Sequence, residues 1–400
     1  MYLSFVTTSI LLLAASSQAR PAASDNEAIP SGKFIHIPLI RDINLSLDRR
    51  QVSTSLSNQV RTYMIDIQIG SSAQKLTLSL DTGSAETFVN SDLCTTCTGG
   101  TYDESKSSSG QARHDLGNFE TAYVDGVNVS GKYVNDDIKI GSNALHETIF
   151  AVSDNATSSG YGIMGIGLPP PQPKYPSILD NMKAQGLIES RSYSLQLNSA
   201  NSTSGSIVFG GYDATNYAMI STLPLVSSGG ETPRMAIEWS GITIKAPEGG
   251  ATYSKIDESR PVALDTGFTL STLPDEVFDA LAKSFDVKKS GSNYYVPCQQ
   301  PQGHTELLFG GSIAPITISV PFSELAIPAN LQPGGDQGQD LCMFGFQPVS
   351  AWGVSSGMMS FGDTVLRSAY LMIDLDTNLV GLSQAVDGAG ANCEGCIVEI

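Results

Sequence analysis

Two stretches of this 400-residue chain read alike: LSLDTGSAETF at 78–88 and VALDTGFTLST at 262–272. Each is an apolar strand running into Asp-Thr-Gly. The two aspartates, Asp81 and Asp265, stand 184 residues apart, about the length of one lobe. A weaker echo follows each copy: Gly162-Ile163-Met164-Gly165 and Met359-Ser360-Phe361-Gly362, both apolar and both ending in Gly. One Asp-Thr-Gly alone is an ordinary turn. Two of them, each after an apolar strand and at lobe spacing, point to a duplicated lobe.

Duplication has a chemical consequence. A pseudo-twofold axis brings Asp81 and Asp265 face to face. Gly83 and Gly267 permit the sharp turn and close backbone approach, and the Thr82 and Thr266 hydroxyls can bond across to the other copy. Two carboxylates about 3 Å apart cannot both ionise, so they share one proton. One is then a base and the other an acid at a single pH. A water between them can attack a carbonyl carbon while the acid protonates its oxygen. This chemistry needs no metal and no cofactor.

Composition narrows the partners. There are 22 Lys+Arg against 40 Asp+Glu, a net charge of −18. Such a chain repels phosphate backbones, so no nucleic-acid partner is expected. Only four histidines are present, which argues against a His-rich metal site. Hydrophobic residues make up 41%, enough for a large core, and 39 Gly with 20 Pro favour turns and short strands.

Residues 1–19, MYLSFVTTSILLLAASSQA, read as a secretory signal peptide with Ser17 and Ala19 before the cut. Residues 20–50 are polar, end in Arg49-Arg50 and read as a propeptide. The division that follows is an N-terminal lobe over 51–220 and a C-terminal lobe over 221–400. No later apolar run is long enough to span a bilayer. The expectation is a secreted monomer with no membrane partner.

Six cysteines in a secreted chain favour disulfides. The favoured pairing is Cys94–Cys97, Cys298–Cys342 and Cys393–Cys396. The other reading makes the two C-x-x-C pairs a four-thiolate zinc site. Their separation of almost 300 residues and an oxidising compartment weigh against it. Sequons stand at Asn44, Asn128, Asn155 and Asn201, of which the last three lie in the mature chain.

Period-two alternation predicts strands at Tyr63–Ile69, Lys75–Leu80, Ser206–Phe209, Met235–Ile244 and Ile316–Val320. Helices are predicted at Pro274–Phe285, with Pro near its first position and acids in the first turn, and at Ser177–Gln185. The fold class is mostly β with a few short helices.

With YMIDIQIG, LDTGS, YGIMGIGLP, GSIVFGGYD, LDTGFTLSTLP and FGDTVLRSAYLMIDLDTNLVGLSQA taken together, the chain resembles the pepsin-like aspartic proteases, particularly secreted fungal ones, across 51–400. The resemblance implies two pseudo-twofold-related β lobes, a central cleft, and cleavage of extended peptide or protein substrates. Phe88, Tyr123 and Ile163 are expected to line apolar subsites, so bulky hydrophobic residues are expected beside the scissile bond. It matches Asp81 and Asp265 to the catalytic pair and Thr82 and Thr266 to the threonines beneath it. Gly83 and Gly267 complete the two motifs, and Ser84 matches the hydroxyl that bonds the first aspartate. Phe119–Gly131 matches the flap, a hairpin closing over substrate, with Tyr123, Asp125 and Gly126 at its tip. Phe88 and Thr269 are assigned to substrate binding, and the Cys298–Cys342 spacing matches the family's C-lobe disulfide.

Several residues depart from the family pattern. Phe268 stands where Ser or Thr is usual, so Asp265 loses a hydroxyl donor. Losing a bond to the charged form raises a carboxyl pKa. Asp265 is therefore expected to be the protonated partner, with an optimum less acidic than usual. Phe88 replaces a frequent Trp, Val124 a usual Gly and Val127 a usual Ser or Thr. The propeptide resembles the family's only at FIHIPLIR, and Lys33 is not assigned as an inhibitory plug. These departures keep a second reading in view: a catalytically weak or inactive protease-like binding protein. A third, a serine hydrolase built on G-x-S-x-G at 353–357, lacks a histidine after His304.

Overall fold

The computed structural model describes residues 18–19, 33–41, 63–95, 97–122, 128–156, 160–202, 204–217, 219–227, 234–245, 251–311, 315–328, 340–352, 359–386 and 396–399. The fold is mostly β, and the two Asp-Thr-Gly turns meet each other where the two halves of the chain come together. Every strand predicted above forms. Tyr63–Ile69 and Gln74–Asp81 pair as an antiparallel hairpin around the Gly70 turn. Ile65, Ile67 and Ile69 point into the core from one strand, and Leu76, Leu78 and Leu80 from the other. The two predicted helices form as Ile178–Ala184 and Asp275–Ser284. Ser177 caps the first in a capping box with Asp180. Pro274 sits at the N-cap of the second, one place earlier than its expected position, and Val277, Phe278 and Leu281 are its buried face.

The two weak echoes in the sequence turn out to be one structural device used twice. In the first half, Gly162–Gly165 lies parallel to the strand carrying Asp81, with Gly165 in register with Asp81. In the second, Met359–Phe361 lies parallel to the end of Ala251–Leu264, the strand that leads into Asp265. The glycine closing each echo is sterically required. A methyl at Gly165 would lie 2.5 Å from the Glu86 carbonyl oxygen, and one at Gly362 only 1.9 Å from that of Phe268.

A shared sheet joins the halves. Ser192–Gln196 from the first half pairs antiparallel with Ala369–Asp374 from the second, so the joint is a continuous hydrogen-bond ladder. On one side Leu379–Gln384 and Met219–Pro224 follow, and on the other Ser204–Phe209. Gln18 and Ala19 lie antiparallel to Ile220 and Met219.

Ile35–Arg41, part of the segment expected to be propeptide, is an inner strand of this sheet. It pairs residue for residue with Ser204–Phe209 and touches Tyr63–Ile69 on its other side. Ile35, Ile37 and Leu39 enter the core, and the buried Arg41 guanidinium donates to the Ala200 carbonyl at 2.6 Å. A cut after Arg50 would leave this strand held by noncovalent contacts alone. Lys33, just before it, pairs with Glu189 at 2.7 Å. Arg49 and Arg50 lie outside the described residues.

Cys94–Cys97 and Cys298–Cys342 are bonded as expected. Cys396 is also in a disulfide, and Cys393 lies outside the described residues. Cys298 and Cys342 are 44 residues apart and tie Asn293–Pro297 to Leu341–Phe344. Replacing both by Ser is expected to cost about 3–4 kcal/mol, because the reduced chain regains loop entropy when unfolded. Urea unfolding measures this as a lower midpoint; an unchanged midpoint would show that the unfolded loop is already constrained. Among the described residues no helix is long and apolar enough to cross a membrane.

Candidate active site

The two threonines lock the centre. The Thr82 amide donates to Thr266 Oγ1 at 3.1 Å, and the Thr266 amide to Thr82 Oγ1 at 3.0 Å. Each hydroxyl then donates to a carbonyl of the opposite half: Thr82 to Leu264 and Thr266 to Leu80, both at 2.8 Å. Both side chains are buried. Both amides and both hydroxyls of this knot are paired, as burial away from water demands, and the bonds repeat under exchange of the two motifs.

This knot fixes the aspartates. The Gly83 amide donates to Asp81 Oδ1 at 2.7 Å, and the Gly267 amide to Asp265 Oδ1 at 3.0 Å. The glycines are required because each passes under the other half's carboxylate. A methyl on Gly83 would lie 2.5 Å from both oxygens of Asp265. A methyl on Gly267 would lie 2.6 Å from Asp81 Oδ1 and 3.1 Å from Asp265 Oδ1. Those two oxygens are thus no farther apart than the sum of those distances, within the reach of one bridging water, and the two carboxyls also hydrogen-bond to each other directly.

The outer oxygens are served differently. Asp81 Oδ2 accepts from the Ser84 hydroxyl. Asp265 has no hydroxyl to match, because Phe268 turns its ring into an apolar cluster with Leu270, Ile327 and Met343. Asp265 Oδ2 instead accepts from Arg234 Nη1 at 3.1 Å. Burial, and then the negative charge of Asp81, push the Asp265 carboxyl up to about 7. Arg234 and the Gly267 amide pull the other way and are outweighed. A carboxyl with that affinity holds its proton in acid.

The sequence relationships agree with this geometry. The family model for eukaryotic aspartyl proteases matches residues 62–385. The chain belongs to the eukaryotic aspartyl protease family. "Probable aspartic-type endopeptidase OPSB" of Arthroderma benhamiae is 30% identical over 372 residues, covering 86% of this chain and 73% of that one. "Secreted aspartic protease 3" of Candida albicans is 30% identical over 359 residues, covering 85% and 84%. The crystal structure of an aspartic proteinase from Irpex lacteus superposes with a TM-score of 0.67 at 19% identity, covering 88% of this chain and 97% of that one. The likeness of folds and the family match agree. The chain is an aspartic-type endopeptidase, a hydrolase that acts on peptide or protein substrates.

The remaining predicted residues of the protease fall into three groups. Asn118–Ala122 and Asn128–Ile140 pair as the two arms of the expected flap hairpin, with Ala122 opposite Asn128. Tyr123, Val124, Asp125, Gly126 and Val127 lie outside the described residues, as do 353–357 of the serine-hydrolase motif. Phe88 is buried with Phe119, Val129, Tyr133 and Ala151, so its ring packs beneath the Asn118–Ala122 and Asn128–Ile140 arms. Thr269 is also buried, and its carbonyl accepts from the Thr364 amide. Asn128 and Asn201 are exposed, as glycan attachment requires; of the Asn155 side chain nothing is described.

Sequence reasoning missed Arg234. Its position follows from strand register. Met235–Lys245 pairs antiparallel with Ala251–Leu264, with Ala236 opposite Ala263. Continuing that register two residues past this pair, back along the first strand and forward along the second, sets Arg234 opposite Asp265, where their side chains meet. The only signal in the sequence is a basic residue at the start of an apolar strand, and that alone names no partner.

Proposed function

We propose that the protein is a secreted endopeptidase that works in acid through Asp81 as base and Asp265 as acid. A water between the carboxyls gives a proton to Asp81 as its oxygen bonds to the peptide carbonyl carbon. Asp265 gives its proton to the carbonyl oxygen. The resulting diol collapses when Asp81 passes its proton to the amide nitrogen, the carbon–nitrogen bond breaks, and a diol hydroxyl returns its proton to Asp265. No proton is gained or lost over the cycle. The observation that carries this reading is the crossed glycine packing, which holds two buried carboxyls within reach of one water.

Secretion is supported by the signal-like N-terminus and by the name of the Candida albicans relative. The apolar lining expected of the cleft favours bulky hydrophobic residues beside the scissile bond. The chain is expected to act as a monomer, without metal or cofactor.

The test is an acid digest of a mixed peptide library with and without a statine-type transition-state mimic. Cleavage between hydrophobic residues that the mimic blocks supports the proposal. Mimic binding without any cleavage supports the inactive binding protein, and cleavage that the mimic leaves untouched overturns the two-carboxylate mechanism.

A further inference from the structure

We propose that Arg234 is a positioning residue, supplying to the outer oxygen of Asp265 the hydrogen bond that the missing hydroxyl at position 268 cannot give. The inference rests on the two-carboxylate reading above and concerns how that pair is tuned.

The pseudo-symmetry makes the substitution visible. Asp81 receives one amide on Oδ1, from Gly83, and one side-chain donor on Oδ2, from Ser84 three residues on. Asp265 receives one amide on Oδ1, from Gly267, and one side-chain donor on Oδ2. The position three residues on is Phe268, whose ring packs against Leu270, Ile327 and Met343. The donor comes instead from the strand paired alongside, and the register of that pairing brings Arg234 there.

The replacement is not chemically neutral. A serine hydroxyl can donate or accept, whereas a guanidinium only donates and carries its charge at every working pH. The bond fixes the carboxyl plane and occupies the outer oxygen. The inner oxygen, beside Gly267 and facing Asp81, is left for the shared proton. The groups acting on this carboxyl are Asp81 from the opposite half, the Arg234 guanidinium and the Gly267 amide. The cation opposes burial and the charge of Asp81, so it keeps Asp265 from holding its proton still more tightly. Lys33, just before the Ile35–Arg41 strand, pairs with Glu189 and does not act on this carboxyl.

Three variants test the assignment: R234M, which keeps the stem and removes the donor; F268T, which supplies a hydroxyl; and the two combined. R234M is expected to lower kcat by about ten- to a hundredfold, the loss of one charge-assisted hydrogen bond at the reacting group. Its alkaline limb in kcat/KM should move up by about one pH unit, because an opposite charge has been removed from beside the carboxyl. Adding F268T to R234M should recover most of the lost kcat. F268T alone controls for the space opened in the apolar cluster. A wild-type rate and limb in R234M would overturn the proposal. So would a rise in kcat/KM, which would make Arg234 a block, or failure of F268T to rescue a folded double variant.

A second measurement is independent of turnover. The folded state raises the Asp265 pKa, so it binds that proton more tightly than the unfolded chain does. Stability therefore falls as pH rises from about 4 to about 7. In R234M that fall should extend to higher pH, and thermal unfolding across the range measures it. An inactive wild type with this shift present would defeat the proposed function and leave the Arg234 assignment standing. An active wild type with the shift absent would do the reverse.

Discussion

Asp81→Asn is expected to lower kcat by about a thousandfold or more, at every pH from the acid limit to neutrality. Asn has the shape of Asp but cannot take a proton from water, so the base is removed and the acid loses the partner that holds the water. General base catalysis alone contributes about a hundred- to ten-thousandfold. The fold should survive. The threonine knot beneath the site uses backbone groups and the Thr82 and Thr266 hydroxyls and no carboxylate. The Asn carbonyl can still accept from the Gly83 amide, and the Ser84 hydroxyl can rotate to accept from the new amide group. Steady-state rates on one hydrophobic peptide, with the melting temperature as control, give the answer. A variant that retains a tenth of wild-type activity with unchanged stability would show that Asp81 is not the base.

Glu324→Ala is expected to destabilise the fold by about 3–5 kcal/mol, the usual cost of leaving a buried charge without its partner. Glu324 and Arg367 are both buried. Oε2 accepts from Arg367 Nε, and the Glu324 backbone carbonyl accepts from Arg367 Nη2 at 3.0 Å. Oε1 accepts from the Ala200 amide at 2.7 Å, so the same side chain ties the second half to the segment that follows Ser192–Gln196 in the first. Truncation to Ala therefore removes the countercharge of one buried cation and the acceptor of one amide. Arg367 would keep only the charge of Asp363 without its bonded partner, so replacing Glu324 and Arg367 together by Met and Leu should recover much of the penalty. Urea unfolding of the single and double variants measures both effects. A double variant as unstable as the single one would place the cost in packing instead of charge.

Much of the fold was legible because it follows from short-range rules. The alternation in Tyr63–Ile69 and around Leu76, Leu78 and Leu80 marks which side chains must leave water, and period two fixes the faces. Pro274 and the acids that follow it announce a helix start, because Pro needs no amide partner there and acids favour the first turn. The repeated Asp-Thr-Gly, with its two glycine-ended echoes, was readable as one device used twice. The structure added the reason: each echo lies parallel to a motif strand, and its glycine passes against a carbonyl that a methyl would strike.

Other features were hidden for equally physical reasons. Ile35–Arg41 alternates like any strand, but nothing local says that it sits inside a sheet instead of lying over the surface. Phe88 and Thr269 are expected at the substrate; both are buried, as Asp81 and Asp265 are, and only the structure shows Phe88 packed with Phe119 and Tyr133. An apolar residue in a sequence names none of its packing partners.

The sequence by itself determined that two acids are presented on matching strand ends, with the glycines and threonines that allow them to meet, because these requirements are local and each leaves its own residue type. Only the tertiary structure decided that Asp265 is served by Arg234. That contact depends on the register between two paired strands, and hydrogen-bond register is settled by the packing of whole faces instead of by any residue near Asp265.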